Sequence, residues 1–325
     1  MKILKLILPI LIIVLLAISG CTSKQGDKDK VEPKQEDNST ETIKFETTNT
    51  NSININRVFG IGYPGNDNAL YVASNEGLKM FKDGNWFETT TNKHKYMGFQ
   101  AVESGIISSG HPQKGTGLKD PLGLIKSSDK GETLEKLAFY GKANFVFMAA
   151  GYSGSELYVI SDQKKDGLNP GVNYSEDNGK TWRKSEFNGF NADSLGIISV
   201  HPANGELIAM ATRSGIYYST DNGNNMKLIT DPFMVTALTF SEDNILFSSV
   251  ENEKIWLKTI KPTSGEQVTL SIPFLDYDNP ITYLAVDPKN PNKLAFSTYK
   301  NDVYQSVDGG QTWVNLLKEG KKESE

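Results

Sequence analysis

The sequence predicts an all-β protein, and three observations predict it. A short pattern recurs along the chain: Ser127-Ser-Asp129-Lys-Gly131-Glu-Thr133, Ser175-Glu-Asp177-Asn-Gly179-Lys-Thr181-Trp182, Ser219-Thr-Asp221-Asn-Gly223 and Ser306-Val-Asp308-Gly-Gly310-Gln-Thr312-Trp313. Its aspartates are 48, 44 and 87 residues apart, and the last gap is close to two periods. Glycine (29 residues) and asparagine are plentiful, as a protein of many tight turns requires. Repeats of about 45 residues, each read as four strands, close into a ring of blades. The expectation is therefore a single β-propeller of six four-stranded blades, with seven as the alternative.

The recurring pattern has a local physical meaning. Asp and Gly make a hairpin turn in which the carboxylate accepts backbone N–H groups and Gly supplies positive φ. Thr and Trp then begin the next strand, and the Trp ring covers the turn and packs on its neighbour. Asp129, Asp177, Asp221 and Asp308 are read as structural turn residues on this ground.

Two weaker copies complete the count. Lys261-Pro-Thr-Ser-Gly265 falls inside the long gap, after Lys254-Ile-Trp256-Leu-Lys, and Phe81-Lys-Asp83-Gly-Asn-Trp86 lies 46 residues before Asp129. The last repeat reads as strands 281–286, 293–298, 303–306 and 312–317. The fourth reads as 195–200, 206–211, 215–219 and a strand from Lys227. First and last repeats both look complete, so no strand exchange closing the ring is evident. Residues 42–47 could still supply one, and the closure stays open.

The N-terminus predicts export. Lys2 and Lys5 precede an apolar run from Leu6 to Ala17, which is too short for an ordinary membrane span and has the length of a signal-peptide core. The run ends in Ile18-Ser19-Gly20-Cys21, which resembles the lipobox of bacterial lipoproteins. That resemblance implies cleavage before Cys21 and a diacylglyceryl group on its sulfur. Cys21 is also the chain's only cysteine, so it has no internal disulfide partner. The expected organisation is a signal peptide over 1–20, a lipidated cysteine and flexible polar tether over 21–44, a propeller over 45–320 and a charged tail over 321–325. Residues 22–44 hold too little apolar surface to offset the entropy of ordering them. The expected location is the extracytoplasmic face of the cell membrane, with the membrane as a partner through Cys21. A formal net charge of −5 offers no electrostatic footprint for nucleic acid. The domain is expected to be a monomer.

Beyond the lipobox, Tyr96-Met-Gly-Phe99, Ser109-Gly-His111-Pro112 and 121–129 (Pro-Leu-Gly-Leu-Ile-Lys-Ser-Ser-Asp) resemble a group of Gram-positive lipoproteins with Asp-box (BNR) repeats, labelled glycosyl hydrolases. The resemblance covers nearly the whole mature domain and implies a propeller of the sialidase and sortilin type. Where those relatives carry histidines on inner strands, this chain has Asn54-Ile-Asn56-Arg57-Val58 and Phe145-Val146-Phe147.

Ligands are expected at the propeller mouth, on the side of the blade-to-blade connections and of the loops joining second to third strands. Position there selects Arg57, Glu76, His111, Lys119, Asp162, Arg213, Glu251 and Tyr299. His111 opens a long loop through Lys119 and Asp120. A second long loop follows at 162–166, and the two could form one wall of a cleft. Glu76, Asp162 and Glu251 are the candidate catalytic carboxylates for a hydrolase, which needs a pair ~5–10 Å apart. A sialidase needs three converging arginines, and Arg183 of the three here (Arg57, Arg183, Arg213) follows a box Trp on an outer strand, away from the mouth. His201 matches Asp287 of the last repeat and is read as a turn residue, and His94 sits in a polar connection. No spacing resembles a metal site, and no cofactor motif is present. The expected function is a surface-anchored module binding a glycan or protein ligand at the channel mouth, with a glycoside hydrolase as the alternative.

Overall fold

The computed structural model describes residues 44–153 and 155–322. The expected signal peptide, Cys21 and nearly all of the expected tether lie outside the described residues.

The described chain is all strand and turn, and its strands form six antiparallel sheets. Blade one contains β2 (Val58–Gly62), β3 (Leu70–Ser74), β4 (Gly77–Lys82) and β5 (Asn85–Thr89), with β1 (Thr47–Thr50) added outside β5. Blade two is β6 (Lys95–Val102), β7 (Gly105–His111), β8 (Leu124–Ser127) and β9 (Glu135–Ala138). Blade three is β10 (Met148–Ala150), β11 (Leu157–Ser161), β12 (Gly171–Ser175) and β13 (Arg183–Lys184). Blade four is β14 (Ile198–His201), β15 (Asn204–Thr212), β16 (Gly215–Ser219) and β17 (Lys227–Leu228). Blade five is β18 (Met234–Ser241), β19 (Asn244–Glu251), β20 (Lys254–Ile260) and β21 (Gln267–Leu270). Blade six is β22 (Ile281–Asp287), β23 (Asn290–Thr298), β24 (Val303–Ser306) and β25 (Val314–Leu317). The protein is thus a six-bladed β-propeller, with the innermost strands β2, β6, β10, β14, β18 and β22 each beside the next and β22 beside β2.

Each blade buries both faces, so its middle strands are continuous apolar runs rather than alternating ones. Leu70, Tyr71, Val72 and Ala73 are all at most 2 % exposed. The core is correspondingly divided into layers, one between each pair of neighbouring blades. Leu246, Leu257, Leu284 and Phe296 fill the layer between blades five and six, and Tyr158, Val172, Ile198 and Ile208 fill that between three and four. Each such side chain contributes roughly 1.5–3 kcal/mol by leaving water.

The recurring turns form as their chemistry requires. In the last, Asp308 Oδ1 accepts the Thr312 N–H at 2.9 Å, Oδ2 accepts the Thr312 hydroxyl at 2.6 Å, and Ser306 Oγ accepts the Gly310 N–H at 2.9 Å. Asp129, Asp177 and Asp221 repeat the arrangement, with Asn225 replacing threonine in the third. Gly310 needs its φ of +86°, which a Cβ would strain. Trp313 donates from Nε1 to Ser271 O at 2.8 Å, on the neighbouring blade's exit, and packs on Phe296. After the turns at Asp177 and Asp308, the strands begin just after Trp182 and Trp313 rather than at the Thr.

The ring closes without strand exchange. The N-terminal strand β1 pairs with β5, the outermost strand of its own blade, from Thr47 opposite Thr89 to Thr50 opposite Trp86. Blades six and one are joined instead by packing of Ile53, Ile55, Ile61 and Leu70 against Ala295, Val303 and Leu317. Polar clasps add to it: Ile55 N–H to Gly320 O (2.8 Å), Val58 N–H to the Asn301 side chain (3.0 Å) and Gln305 Nε2 to the Tyr63 hydroxyl (2.9 Å).

Candidate functional site

The six innermost strands enclose a cavity of about 720 Å³. Close approach of blades one and two shapes one side: a Cβ on Gly62 would sit 2.5 Å from that of Ala101. The wall alternates apolar groups such as Phe59, Phe99, Met148 and Leu238 with the hydroxyls of Ser199, Thr236, Thr239 and Thr282. Gln100 is the amide among them, donating to Met148 O at 3.3 Å.

One end of the cavity is polar. His201 Nδ1 accepts the N–H groups of Ala203 (3.1 Å) and Asn204 (3.2 Å), so in the neutral ring the proton sits on Nε2, 3.3 Å from Asp243 Oδ1. Its ring meets Phe240 edge-on. Glu242 and Asp243 are the only carboxylates of the wall, adjacent on the turn between β18 and β19. The Tyr152 hydroxyl is buried here without a partner, and desolvation, then the nearby Asp287 and Glu103 charges, push it up to about 12. It is a neutral donor at any physiological pH. At the opposite end Arg57 and Lys95 lie over the Phe59 ring, 5.2 and 5.3 Å from its centre.

Of the residues selected by position, Arg57 alone flanks the cavity, and none contributes to its wall. Glu76 caps the β3–β4 turn and meets Asn56 at 3.5 Å. Asp162 is exposed at the end of β11. Glu251 is tied to Lys258 (2.7 Å) and Ser249 (2.6 Å). Burial works to raise its pKa, but those hydrogen bonds and the Lys258 charge outweigh it and hold the carboxyl below its ordinary value. That is the wrong direction for a proton donor at neutral pH. Glu76 and Asp162 lie between the second and third strands of blades one and three, Glu251 ends the second strand of blade five, and no hydrogen bond joins any two of them. Arg213 is exposed in the β15–β16 turn, and Arg183 pairs with Glu176 at 3.0 Å on the outermost strand of blade three.

The two long loops are linked, though indirectly. His111 Nδ1 meets Asp120 Oδ1 at 2.6 Å, and Pro121 O accepts the Gly141 N–H at 2.8 Å. The next residue, Lys142, reaches Asp166 at 3.7 Å in the second loop. Lys119 is exposed beside Gly141, its own N–H donated to the Tyr140 hydroxyl at 2.8 Å. Residues 140–142 therefore bridge the two long loops. Tyr299 projects from the β23–β24 loop, 70 % exposed.

Two histidines have fuller roles than their sequence context showed. His201 keeps its expected turn position and also lines the cavity. His94 is 1 % exposed rather than solvated, because Nδ1 accepts the Gln113 N–H at 2.9 Å and the long loop folds over it. Among the described residues no cluster of three or more His, Cys, Asp or Glu could hold a metal ion.

No protein-family model matches the chain, and no curated protein matches it in sequence. Solved structures do match. A GH74 enzyme of Niastella koreensis superposes with a TM-score of 0.51 at 18 % identity, over 83 % of this chain and 47 % of that one. An ancestral GH74 enzyme gives 0.50 at 16 %, over 81 % and 38 %. The chain thus spans less than half the length of either GH74 enzyme. A chain of the nidogen/laminin complex gives 0.55 at 11 %, over 76 % and 91 %. At these identities the likeness is one of fold, and a propeller fold is shared by enzymes and binding domains alike.

Proposed function

We propose that this protein is a binding module, held through a lipid on Cys21 at the outer face of the cell membrane, which takes part of a glycan or protein ligand into its propeller channel. The lipobox and the four recurring turns support grouping it with lipoproteins that carry Asp-box propellers. The wall of the channel is the observation that carries the binding reading. An apolar and hydroxyl-lined cavity of about 720 Å³ has the size and lining of a ligand site. Its two carboxylates are neighbours on one turn, whereas glycoside hydrolysis needs two that face each other across the bond, one of them kept protonated. The hydrolase alternative rests on fold likeness.

The test uses the full chain in detergent. Thermal unfolding is followed with cell-wall glycans and short peptides, and products are assayed in parallel. A ligand should raise the melting temperature of the parent but not of Ser199→Trp or Thr239→Trp, which fill the channel, and no product should form. Turnover lost in Asp243→Asn would replace the binding reading with the hydrolase one. The anchor has its own test: Cys21→Ser should move the protein from membranes into detergent-free extract, and a variant that stays on membranes rules the anchor out.

A further inference from the structure

The connection from blade five to blade six, residues 271–280, is pinned from below and aromatic above. Leu275 is 8 % exposed and packs with Ile272 into the layer between those blades. Ser271 O accepts the Trp313 indole N–H. Asn279 is 5 % exposed; its Nδ2 donates to Asp302 Oδ2 at 2.8 Å, and its Oδ1 accepts the Lys300 N–H at 2.7 Å. Asp302, fully buried, also accepts the Glu319 N–H at 2.8 Å. Between these anchors the remaining large side chains point out. Phe274 is 87 % exposed and Tyr277 61 %. Tyr299 of the neighbouring loop is 70 % exposed, and its N–H is held by Pro280 O at 2.9 Å.

An aromatic ring left in water forgoes about 25 cal/mol for each Å² it could bury. Three such rings on one pinned base form an interaction surface whose backbone is already ordered, which lowers the cost of binding. The rings alternate with charge: Asp276 and Asp278 flank Tyr277, and Lys300, next to Tyr299, pairs with Asp278 at 2.9 Å. A protein covering the rings would have to strip water from these charges. A sugar polymer would not. Its rings offer flat C–H faces to aromatic groups, while its hydroxyls donate to carboxylates and leave them hydrated.

We infer that Phe274, Tyr277 and Tyr299 form a docking strip for a polysaccharide chain. The strip is independent of the channel, and its residues are absent from the channel wall.

The test is affinity electrophoresis of the full chain in detergent through gels holding xylan, soluble cellulose or chitin derivatives, or solubilised peptidoglycan. At least one polymer should retard the parent. Phe274→Ala, Tyr277→Ala and Tyr299→Ala should each weaken retardation roughly two- to tenfold, and the triple variant should run as in a blank gel. Because the three side chains are exposed, the thermal unfolding of the variants should match the parent, which separates lost binding from lost fold. Ser199→Trp should keep the retardation, so this result and the channel result can fail separately. No retardation by any of the polymers, or undiminished retardation of the triple variant, overturns the inference. A crosslinked protein partner lost in the triple variant, with no polymer bound, would reassign the strip to that protein and equally overturn it.

Discussion

The backbone N–H of Ile55 donates to the carbonyl oxygen of Gly320 at 2.8 Å, and this bond joins the two ends of the ring. Gly320 has a φ of +75°, and a Cβ there would collide with the carbonyl oxygen of Ile55. Gly320→Val should therefore open the seam between blades six and one and destabilise the protein by about 2–4 kcal/mol in urea unfolding. A variant as stable as the parent would mean that side-chain packing alone closes the ring.

Lys79 and Glu88 face each other across β4 and β5, and the lysine side chain is only 5 % exposed. Burial alone pushes the Glu88 carboxyl up, but the bond from Lys79 and the charges of Lys79 and Lys93 hold it below its ordinary value. Glu88→Ala would strand a buried ammonium, so a loss of about 2–4 kcal/mol is expected. The double change Lys79→Met, Glu88→Leu should recover most of it, and a double-mutant cycle in urea measures the difference.

Burial of His94 lowers its pKa from 6.5 to about 4. The unfolded chain therefore binds a proton that the folded one refuses between those values, and stability falls as pH drops from above 6.5 toward 4. Between pH 7 and pH 5 this one group should cost up to about 2 kcal/mol. His94→Gln should flatten the slope over that window, as read by urea unfolding at the two pH values. An unchanged slope would show that another group carries the dependence.

At lower pH the recurring turns take over. The Thr181 N–H and hydroxyl hold Asp177 at about 2, and the Thr312 hydroxyl and N–H hold Asp308 at about 2, against an ordinary 3.8. Depressed carboxyls contribute stability that is complete above 3.8 and lost as pH falls through about 2. Asp308→Asn should lower the neutral-pH melting temperature by about 2–5 °C and reduce its further fall between pH 4 and pH 2. Calorimetry across that range gives both quantities.

The architecture could be read from particular residues. Asp129, Asp177, Asp221 and Asp308 place four turns, and the interval between the last two demands a fifth where Gly265 indeed turns at a φ of +75°. Strands Gly215–Ser219 and Val303–Ser306 fall where their sequences ended in the turn motif. The fate of β1 was not legible, because Thr47–Thr50 is polar and pairs through backbone bonds that carry no side-chain signature. The cavity wall was missed for another reason. Ser199 and Thr282 sit inside strands that read as core, and nothing local separates a hydroxyl facing a channel from one facing a neighbouring blade. Phe274 and Tyr277 escaped notice because an apolar residue in a connection looks like an anchor; here Leu275 is the anchor, and its neighbours are displayed.

Each sheet of this ring draws its four core strands from one uninterrupted stretch of chain, and the first needs nothing from the last to be complete. Blades can therefore assemble in the order in which they are synthesised, with only the final docking waiting for the end of the polypeptide. The same arrangement makes the seam at Ile55 and Gly320 one junction among six. A circularly permuted chain, with these ends linked and a new start opened between any two blades, should still close into the same ring.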